Sequence, residues 1–246
     1  MKKLILIFVG FWFLTFGLHA QGGNILIVPF GDRMFYNEAA AKMLKVSGVS
    51  YSEMIREFEN GIVAAIQKEG GRKFVSPGGV TTASRNSDVK LQVRALLDFY
   101  GEKVKSKKKA KRLRLCGGAS SKMENNPPKG EKDGEVVSMV GSPDGQFISS
   151  KVNSKHEFAK LCRELGVSKV LVINEMDIKE DFSSPYHNGT EHLRQIQLHY
   201  SLFDNKGKQL VTGVALENFS SSENNIREII RLHFGALAKQ IISKLP

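Results

Sequence analysis

The sequence predicts an α/β protein: a mixed sheet with a C-terminal antiparallel hairpin, flanked by helices. An unbroken apolar run at residues 170–173 is typical of a central strand that is covered on both faces. Apolar and polar residues alternate over residues 195–202, which indicates a strand with one buried face. The turn sequence Asp-Asn-Lys-Gly at 204–207 follows, and residues 210–216 form the return strand. Within that strand, Gly213 predicts a bulge or a close backbone approach.

The N-terminal third contains a second buried strand and a less regular stretch. Four apolar residues at 25–28 precede a proline and predict the strand. Residues 30–49 mix polar and small residues around Phe35 and Tyr36, so we expect a long loop that packs onto the domain. A brief strand is expected at residues 73–75.

Apolar residues at helical spacing predict two helices in the first half of the chain. The first begins with a capping box of Ser50 and Glu53, and Phe58 lies in the middle of its apolar face. Gly70 follows that face and is expected to end the helix. A second helix is predicted over residues 88–100.

Two further helices are predicted in the second half of the chain. One begins with a second capping box, formed by Ser154 and Glu157, and precedes the central strand. The other is expected to be capped by the serines at 220–222 and carries its apolar face through residues 226–241.

Between these halves, the regular pattern weakens at about residues 102–150. The stretch begins with a basic run and continues with residues rich in glycine, serine, asparagine and proline. Short strands are expected at residues 113–116, 136–140 and 147–152. We therefore expect a partly mobile insertion on the surface of a single α/β domain that spans residues 21–246.

Residues 1–20 have the layout of a secretory signal peptide. Lys2 and Lys3 precede an apolar run, and Ala20 provides the small residue before the expected cleavage site. The alternative is an uncleaved membrane anchor, but the run is shorter than the roughly 20 residues that a membrane-spanning helix needs. We expect a periplasmic or otherwise exported protein without a transmembrane segment after cleavage.

The positive charge of the chain is concentrated in one segment. The formal net charge of +11 becomes +9 after Lys2 and Lys3 are removed, and eight positive charges lie at 103–114. These eight residues are Lys103, Lys105, Lys107, Lys108, Lys109, Lys111, Arg112 and Arg114. They suit an anionic partner such as a lipid head group or an acidic polymer, although a solvated loop is the alternative. Nucleic acid is not expected, because the run lacks aromatic residues for base stacking.

Three stretches carry a resemblance to known proteins: ILIVPF at 25–30, GVSKVLVI at 166–173, and the hairpin QIQLHYSLFDNKGKQLVTG. The chain resembles the α/β domain at the N-terminus of the Tol-system propeller protein. The curli-secretion lipoprotein and the lipoprotein activators of penicillin-binding proteins share that domain. NEMDIKE followed by RQIQLHYSLFDNKGKQL is also similar to small exported proteins of unknown function in Gram-negative bacteria. The resemblance implies an α/β fold and protein partners in the cell envelope, and it transfers no catalytic residues.

Two groups of residues could carry chemistry. His187, Glu191 and His192 lie near the acidic residues at 175, 177 and 181, and such a set could hold a divalent ion. Its spacing matches no metalloenzyme motif, so we predict a solvated loop and no metal or other cofactor. Cys116 and Cys162 could form a disulfide, but the apolar helix face around Cys162 favours a buried free thiol.

These observations predict a non-catalytic envelope binding or accessory protein that acts through protein–protein contacts. The expected partner is an envelope protein or an anionic envelope polymer. Two alternatives remain: a metal-dependent hydrolase that uses the loop at 187–192, and a binder of anionic polymers or lipid head groups through the basic run at 103–114.

Overall fold

The computed structural model describes residues 23–79, 86–103, 146–182 and 191–246. In these ranges helices pack on a mixed sheet, which confirms the predicted α/β class. The strands are β1 (Asn24–Val28), β2 (Phe35–Asn37), β3 (Phe74–Val75), β4 (Leu97–Lys103), β5 (Gln146–Val152), β6 (Val167–Asp181), β7 (Leu193–Asp204) and β8 (Gln209–Ser220). The helices are α1 (Ala40–Ser47), α2 (Tyr51–Gly70), α3 (Asn86–Ala95), α4 (Lys155–Glu164) and α5 (Ile226–Ile242).

The main sheet is organised around β6, in the strand order β3-β1-β6-β7-β8. β1 pairs with β6 in parallel, β2 pairs in parallel with the second half of β6, and β7 and β8 continue the sheet as an antiparallel hairpin. The predicted central strand and C-terminal hairpin are thus confirmed. Among the described residues, no helix combines the length and apolar character needed to cross a membrane.

One face of this sheet packs against α2 and α5 and forms the larger core. The α2 helix begins with the predicted capping box, in which Ser50 and Glu53 each accept a hydrogen bond from the other's backbone N–H. Its Phe58 is fully buried between Phe35 and Phe234, with both ring centroids 5.7 Å away. Close packing of large apolar side chains on the sheet therefore holds α2 in place.

The other face of the sheet carries a smaller core under α3 and α4. Val170, Val172 and Phe203 of the sheet are buried there against Phe158 of α4. Cys162 is also buried in this core, and burial raises the pKa of its thiol to about 11. Cys116 lies outside the described residues, so the disulfide hypothesis stays a prediction.

The helix predicted over residues 88–100 is wrong in its second half. Helix α3 ends at Ala95, and Leu97–Lys103 is instead strand β4, which pairs antiparallel with β5 along its whole length. The apolar residues of this segment fit the period of a helix as well as that of a strand. Pairing with β5, which lies almost 50 residues later in the sequence, makes the segment a strand. The strand expected at 147–152 is confirmed as part of β5, while the strands expected at 113–116 and 136–140 lie outside the described residues.

The stretch at 30–49 is also more regular than predicted. It contains strand β2 and helix α1, because the long second half of β6 offers a free edge on which β2 can pair. Phe35 is buried in the larger core, whereas Tyr36 is 56% exposed. The chain then turns into α1 through Asn37, whose side-chain oxygen accepts a hydrogen bond from the backbone N–H of Ala39 (2.9 Å).

The predicted start of α4 is correct, and the predicted cap of α5 is wrong. Ser154 Oγ accepts a hydrogen bond from the Glu157 N–H and caps α4. The N-cap of α5 is Asn225, whose side chain accepts from two backbone N–H groups, and not the serines at 220–222. At Gly213 the structure has a close approach: an added Cβ would lie 3.3 Å from the hydroxyl oxygen of Tyr200 on β7.

Two glycines provide a matched test of backbone conformation. Gly207 in the β7–β8 turn has φ +76°, and an added Cβ would lie 3.2 Å from Val152. Gly207→Ala should therefore cost about 1–2 kcal/mol of stability. Gly235 lies inside α5 with open space around an added Cβ, so Gly235→Ala should stabilise the protein by about 0.5–1 kcal/mol. Urea denaturation measures both changes, and effects of the same sign would contradict this description of the turn.

Candidate functional site

The strands β6 and β7 hold two polar clusters, one on each face of the sheet. The carboxylate–histidine cluster consists of Glu175, Asp177, Gln197 and His199 and lies on the face that β5 covers. The arginine cluster consists of Glu180, His192 and Arg194 and lies on the face that carries α2 and α5.

The carboxylate–histidine cluster is built from two cross-strand pairs. In the register of β6 and β7, Glu175 stands opposite His199, and Asp177 stands opposite Gln197. A register shift between Ile173 and Glu175 brings this part of β6 into position. Ligand atoms of Glu175, Asp177 and His199 all lie within 4.8 Å of one another. The strand pairing thus gathers two carboxylates, an imidazole and an amide on one patch of the sheet.

Most of this cluster is buried. Asp177 is 6% exposed, His199 3% and Gln197 1%, while Glu175 is only partly buried. The alternating pattern at 195–202 predicts one buried face, and the polar face should meet solvent. That prediction is wrong, because β5 packs on the polar face: the backbone N–H of Ile148 donates a hydrogen bond to His199 Nδ1 (3.0 Å).

The contacts of His199 define its tautomer. Since Nδ1 accepts a hydrogen bond, it carries a lone pair, and the proton of the neutral ring lies on Nε2. That Nε2 lies 3.7 Å from Asp177 Oδ2, within range of electrostatic attraction but too far for a hydrogen bond. His199 Nε2 and Gln197 Oε1 are buried atoms without a hydrogen-bond partner in the described part of the chain. The cluster therefore contains polar groups that the protein itself leaves unsatisfied.

Next to this cluster, β5 is held on the sheet by a satisfied polar network. Asn174 accepts a hydrogen bond from Ser150 Oγ (2.8 Å) and donates to Ser201 Oγ (2.9 Å) and to the backbone oxygen of Ile148 (2.8 Å). Ser149 is buried against the Thr212 hydroxyl at 3.1 Å. These bonds fix the position of β5, and hence of the Ile148 N–H that contacts His199.

Burial and the neighbouring Asp177 carboxylate raise the pKa of Glu175 to about 7 from an ordinary value of 4.5. Burial is the larger cause, because it disfavours the charged form. The other charged or titratable groups facing this carboxyl are Lys179 on β6 and His199 on β7. The folded protein therefore holds the Glu175 proton more tightly than the unfolded chain does.

This pKa predicts how stability depends on pH. A raised folded-state pKa contributes stability that is complete below about pH 4.5 and is lost as the pH rises through about 7. Glu175→Gln removes the ionisation, so its melting temperature relative to wild type should increase between pH 5 and pH 8 in chelator-containing buffer. Other titrating groups are common to both proteins and cancel in the difference. If the difference in melting temperature between Glu175→Gln and wild type stays constant with pH, this result would contradict the raised pKa of Glu175.

The arginine cluster closes the other face of the β6–β7 pair. Arg194 is fully buried, and its Nε lies 3.3 Å from Glu180 Oε1. Its Nη1 donates to the backbone oxygen of Glu223 (3.1 Å) and to Asn224 Oδ1 (2.9 Å) just before α5. His192 also pairs with Glu180. Glu180 has a lowered pKa: burial opposes the ionised form, but the hydrogen bond from His192 and the charge of Arg194 outweigh it.

The residues that the sequence suggested for a metal site are divided by the structure. Glu175 and Asp177 meet His199, which was not in the suggested set, while His192 meets Glu180 on the opposite face. Glu191 is exposed, Asp181 ends β6, and His187 lies outside the described residues. Cross-strand pairing, not proximity along the chain, decides which side chains meet. A signal for this was available, since polar residues at 195, 197 and 199 alternate along a strand next to Glu175 and Asp177.

The basic run lies almost entirely outside the described residues. Only the backbone of Lys103 is described, as the last residue of β4, where it pairs with Gln146 of β5. The other residues of the run, from Lys105 to Arg114, belong to the stretch at 104–145 that the structure does not describe. Their assignment as an anion-binding segment stays a prediction.

A ligand-sized groove lies between α3 and α4. Its volume is about 320 Å³, and its lining includes the apolar Leu96 and Leu161 and the charged Glu157, Lys160 and Glu164. None of its lining residues belongs to either polar cluster. A smaller cavity of about 110 Å³ lies near the start of α5, beside Asn225 and Arg227.

No protein-family model matches this sequence, and no curated protein sequence is significantly similar to it. A relationship to the envelope α/β domains therefore stays a prediction. The structure supports only the α/β fold class that the resemblance implies.

Proposed function

We propose that this chain is a non-catalytic binding or accessory protein of the cell envelope, exported and acting through protein–protein contacts. The observation that best supports this is the state of its acid–base groups. His192 and Arg194 pair with Glu180 of β6, and His199 accepts a backbone hydrogen bond, inside the sheet or on its covered faces. Such groups stabilise a scaffold that presents a surface.

Three histidines illustrate the point. His192 pairs with Glu180, His233 lies 3.0 Å from Glu223 and 3.4 Å from Glu217, and His199 accepts a backbone hydrogen bond. A general base needs a free lone pair within hydrogen-bond reach of the substrate. The groove between α3 and α4 has the volume for a small ligand, but its lining contains no histidine, cysteine or serine.

Crosslinking in intact cells that produce the protein naturally tests this proposal. We expect the mature protein in the envelope fraction, crosslinked to one other envelope protein in a yield that is comparable to its own abundance. The partner should copurify without crosslinker at low salt. Absence of any partner, together with turnover of an envelope substrate by the purified protein, would contradict the proposal.

A second candidate function is binding of an anionic polymer or lipid head group through the basic run. The geometry of the β4–β5 hairpin favours it: β5 is anchored on the sheet through His199 and Asn174, and β4 ends at Lys103, where the run begins. The run therefore begins directly after a strand that is anchored on the domain.

Removing the charge of the run should separate binding from folding. Replacing Lys107, Lys108, Lys109, Lys111 and Arg112 with Gln should leave the melting temperature unchanged and weaken retention on anionic envelope material. For the unaltered protein, retention should fall as salt rises past roughly 0.15 M, because the attraction is screened.

A control with five Lys→Gln replacements elsewhere removes the same charge from other exposed positions. These positions are Lys45, Lys155, Lys206, Lys239 and Lys244. If retention depends on the basic run, the control variant should still be retained on anionic envelope material, and the variant with the neutralised run should not. Equal loss in both would indicate a general charge effect, and unchanged retention in both would leave the run as a solvated loop.

A further inference from the structure

We propose that the carboxylate–histidine cluster binds one calcium ion through oxygen atoms of Glu175, Asp177 and Gln197. In this site His199 does not contact the ion, and its Nε2, which carries the ring proton, lies 3.7 Å from Asp177 Oδ2. The inference is independent of the proposed function, since a bound ion would stabilise a binding protein and an enzyme alike.

The cluster concentrates negative charge. Glu175 and Asp177 place two carboxylates on one patch of the sheet, and Asp177 is only 6% exposed. The Lys179 ammonium lies 3.7 Å from Asp177 Oδ2 on the more exposed side. Among the described residues, no lysine or arginine forms an ion pair with Glu175. The charge of Lys179 also acts on Glu175, so one lysine faces two closely spaced carboxylates. Negative charge that is removed from water is costly, and a cation between the two carboxylates would neutralise the charge that Lys179 leaves over.

The cluster also contains an unsatisfied oxygen atom. Within the described parts of the chain, Gln197 Oε1 is a buried acceptor without a hydrogen-bond partner, and Gln197 stands directly opposite Asp177 in the strand register. Gln197 Nε2 donates to Gln195 (2.9 Å), which leaves the amide oxygen of Gln197 available as a ligand. A neutral oxygen that lacks a donor beside two carboxylates is the third ligand that a hard cation needs.

The hydrogen bonding of His199 indicates which ions fit the site. A histidine that binds a metal uses the lone pair of one ring nitrogen, and its other nitrogen donates a hydrogen bond. In His199 the roles are reversed, because Nδ1 accepts from the Ile148 N–H (3.0 Å) and Nε2 carries the proton. The ring is therefore a donor towards Asp177 and a poor zinc ligand. Oxygen donors alone favour calcium, magnesium or manganese over zinc.

Coordination chemistry favours calcium among these ions. Calcium binds oxygen at roughly 2.3–2.6 Å in a flexible geometry, so two of its ligands can lie up to about 5 Å apart. Ligand atoms of Glu175 and Asp177 lie within 4.8 Å of each other, close enough for one calcium ion to contact both. Magnesium requires shorter distances in a strict octahedron and does not shed water readily. The partly exposed Glu175 provides the entry side, and water can complete the coordination.

Thermal unfolding of the full chain with calcium chloride tests the site. With few protein ligands we expect a dissociation constant of about 10⁻⁴–10⁻³ M, so about 10 mM calcium should raise the melting temperature by roughly 3–10 °C. Magnesium chloride at the same concentration should give a smaller rise. Isothermal titration with calcium chloride should give one site per chain.

Variants assign the effect to the cluster. Asp177→Asn and Glu175→Gln each remove one ligand charge and should abolish most of the calcium-induced shift. Asp98→Asn changes an exposed aspartate of β4 and should keep the shift. Circular dichroism verifies folding, and if both charge variants fail to fold, Gln197→Leu removes the neutral ligand without changing the charge.

Three results would overturn the calcium site. The first is a wild-type melting temperature that calcium does not change. The second is a calcium shift that persists in folded Asp177→Asn and Glu175→Gln. The third is tight binding of one zinc ion that is lost in His199→Gln, which would make His199 a ligand.

Discussion

Replacing Phe58 with alanine is expected to lower the free energy of unfolding by about 3–5 kcal/mol. Phe58 is fully buried in α2. Its ring lies between Phe35 of β2 and Phe234 of α5, and the centroids of both rings are 5.7 Å away. Alanine leaves a cavity that these three elements cannot close without moving the helix. Urea or guanidinium denaturation measures the loss.

Tyr36→Ala is the matched control for Phe58. Tyr36 also carries an aromatic ring but is 56% exposed, so its replacement should change stability by less than about 0.5 kcal/mol. Equal effects of the two substitutions would mean that α2 does not pack on the sheet as described. The double variant Phe58→Ala with Phe234→Ala should cost less than the sum of the two single variants, because both residues line the same cavity.

Replacing Arg194 with methionine is expected to cost on the order of 3–5 kcal/mol, the other large effect. The side chain has no exposed surface, and it joins Glu180 of β6 to the residues that precede α5. Methionine retains much of the apolar volume of arginine. It removes the positive charge that stabilises the largely buried Glu180 carboxylate. Arg194→Lys should also destabilise, because an ammonium lacks the planar fork that reaches both Glu180 and Asn224.

Arg231→Met is the control for Arg194. Arg231 pairs with Glu228 on the surface of α5, where both side chains are more than half exposed. Solvent screens such a pair, so the melting temperature should stay unchanged. If Arg194→Met is equally neutral, the arginine cluster does not hold the start of α5 in place.

The parts of the fold that were predicted correctly depend on local patterns. The apolar run at 170–173, the alternation at 195–202 and the capping box at Ser50 each reflect one element and its period. The errors have a different origin. Leu97–Lys103 forms a strand because β5 pairs with it, and Phe35–Asn37 forms a strand because β6 extends far enough to pair with it. The local sequence indicates β5 and the first part of β6 as strands, but it does not show which segments pair with them.

The candidate site was predicted only in part for the same reason. From the sequence, the acidic Glu175 and Asp177 are expected to share a site with the nearby His187 and His192. The structure instead brings His199 and Gln197 to them, through a register that depends on the shift at Ile173 and Glu175. The burial of this patch depends on β5, which approaches from a distant part of the chain.

Elemental analysis of the purified protein by plasma mass spectrometry tests most directly the claim that this is a binding protein without metal-dependent catalysis. Protein purified without chelator should contain no stoichiometric zinc after desalting, and weakly bound calcium should be lost at that step. One zinc ion per chain that survives desalting, is removed by EDTA and is absent from His187→Ala and His192→Ala would contradict the claim. It would favour the metal-dependent hydrolase.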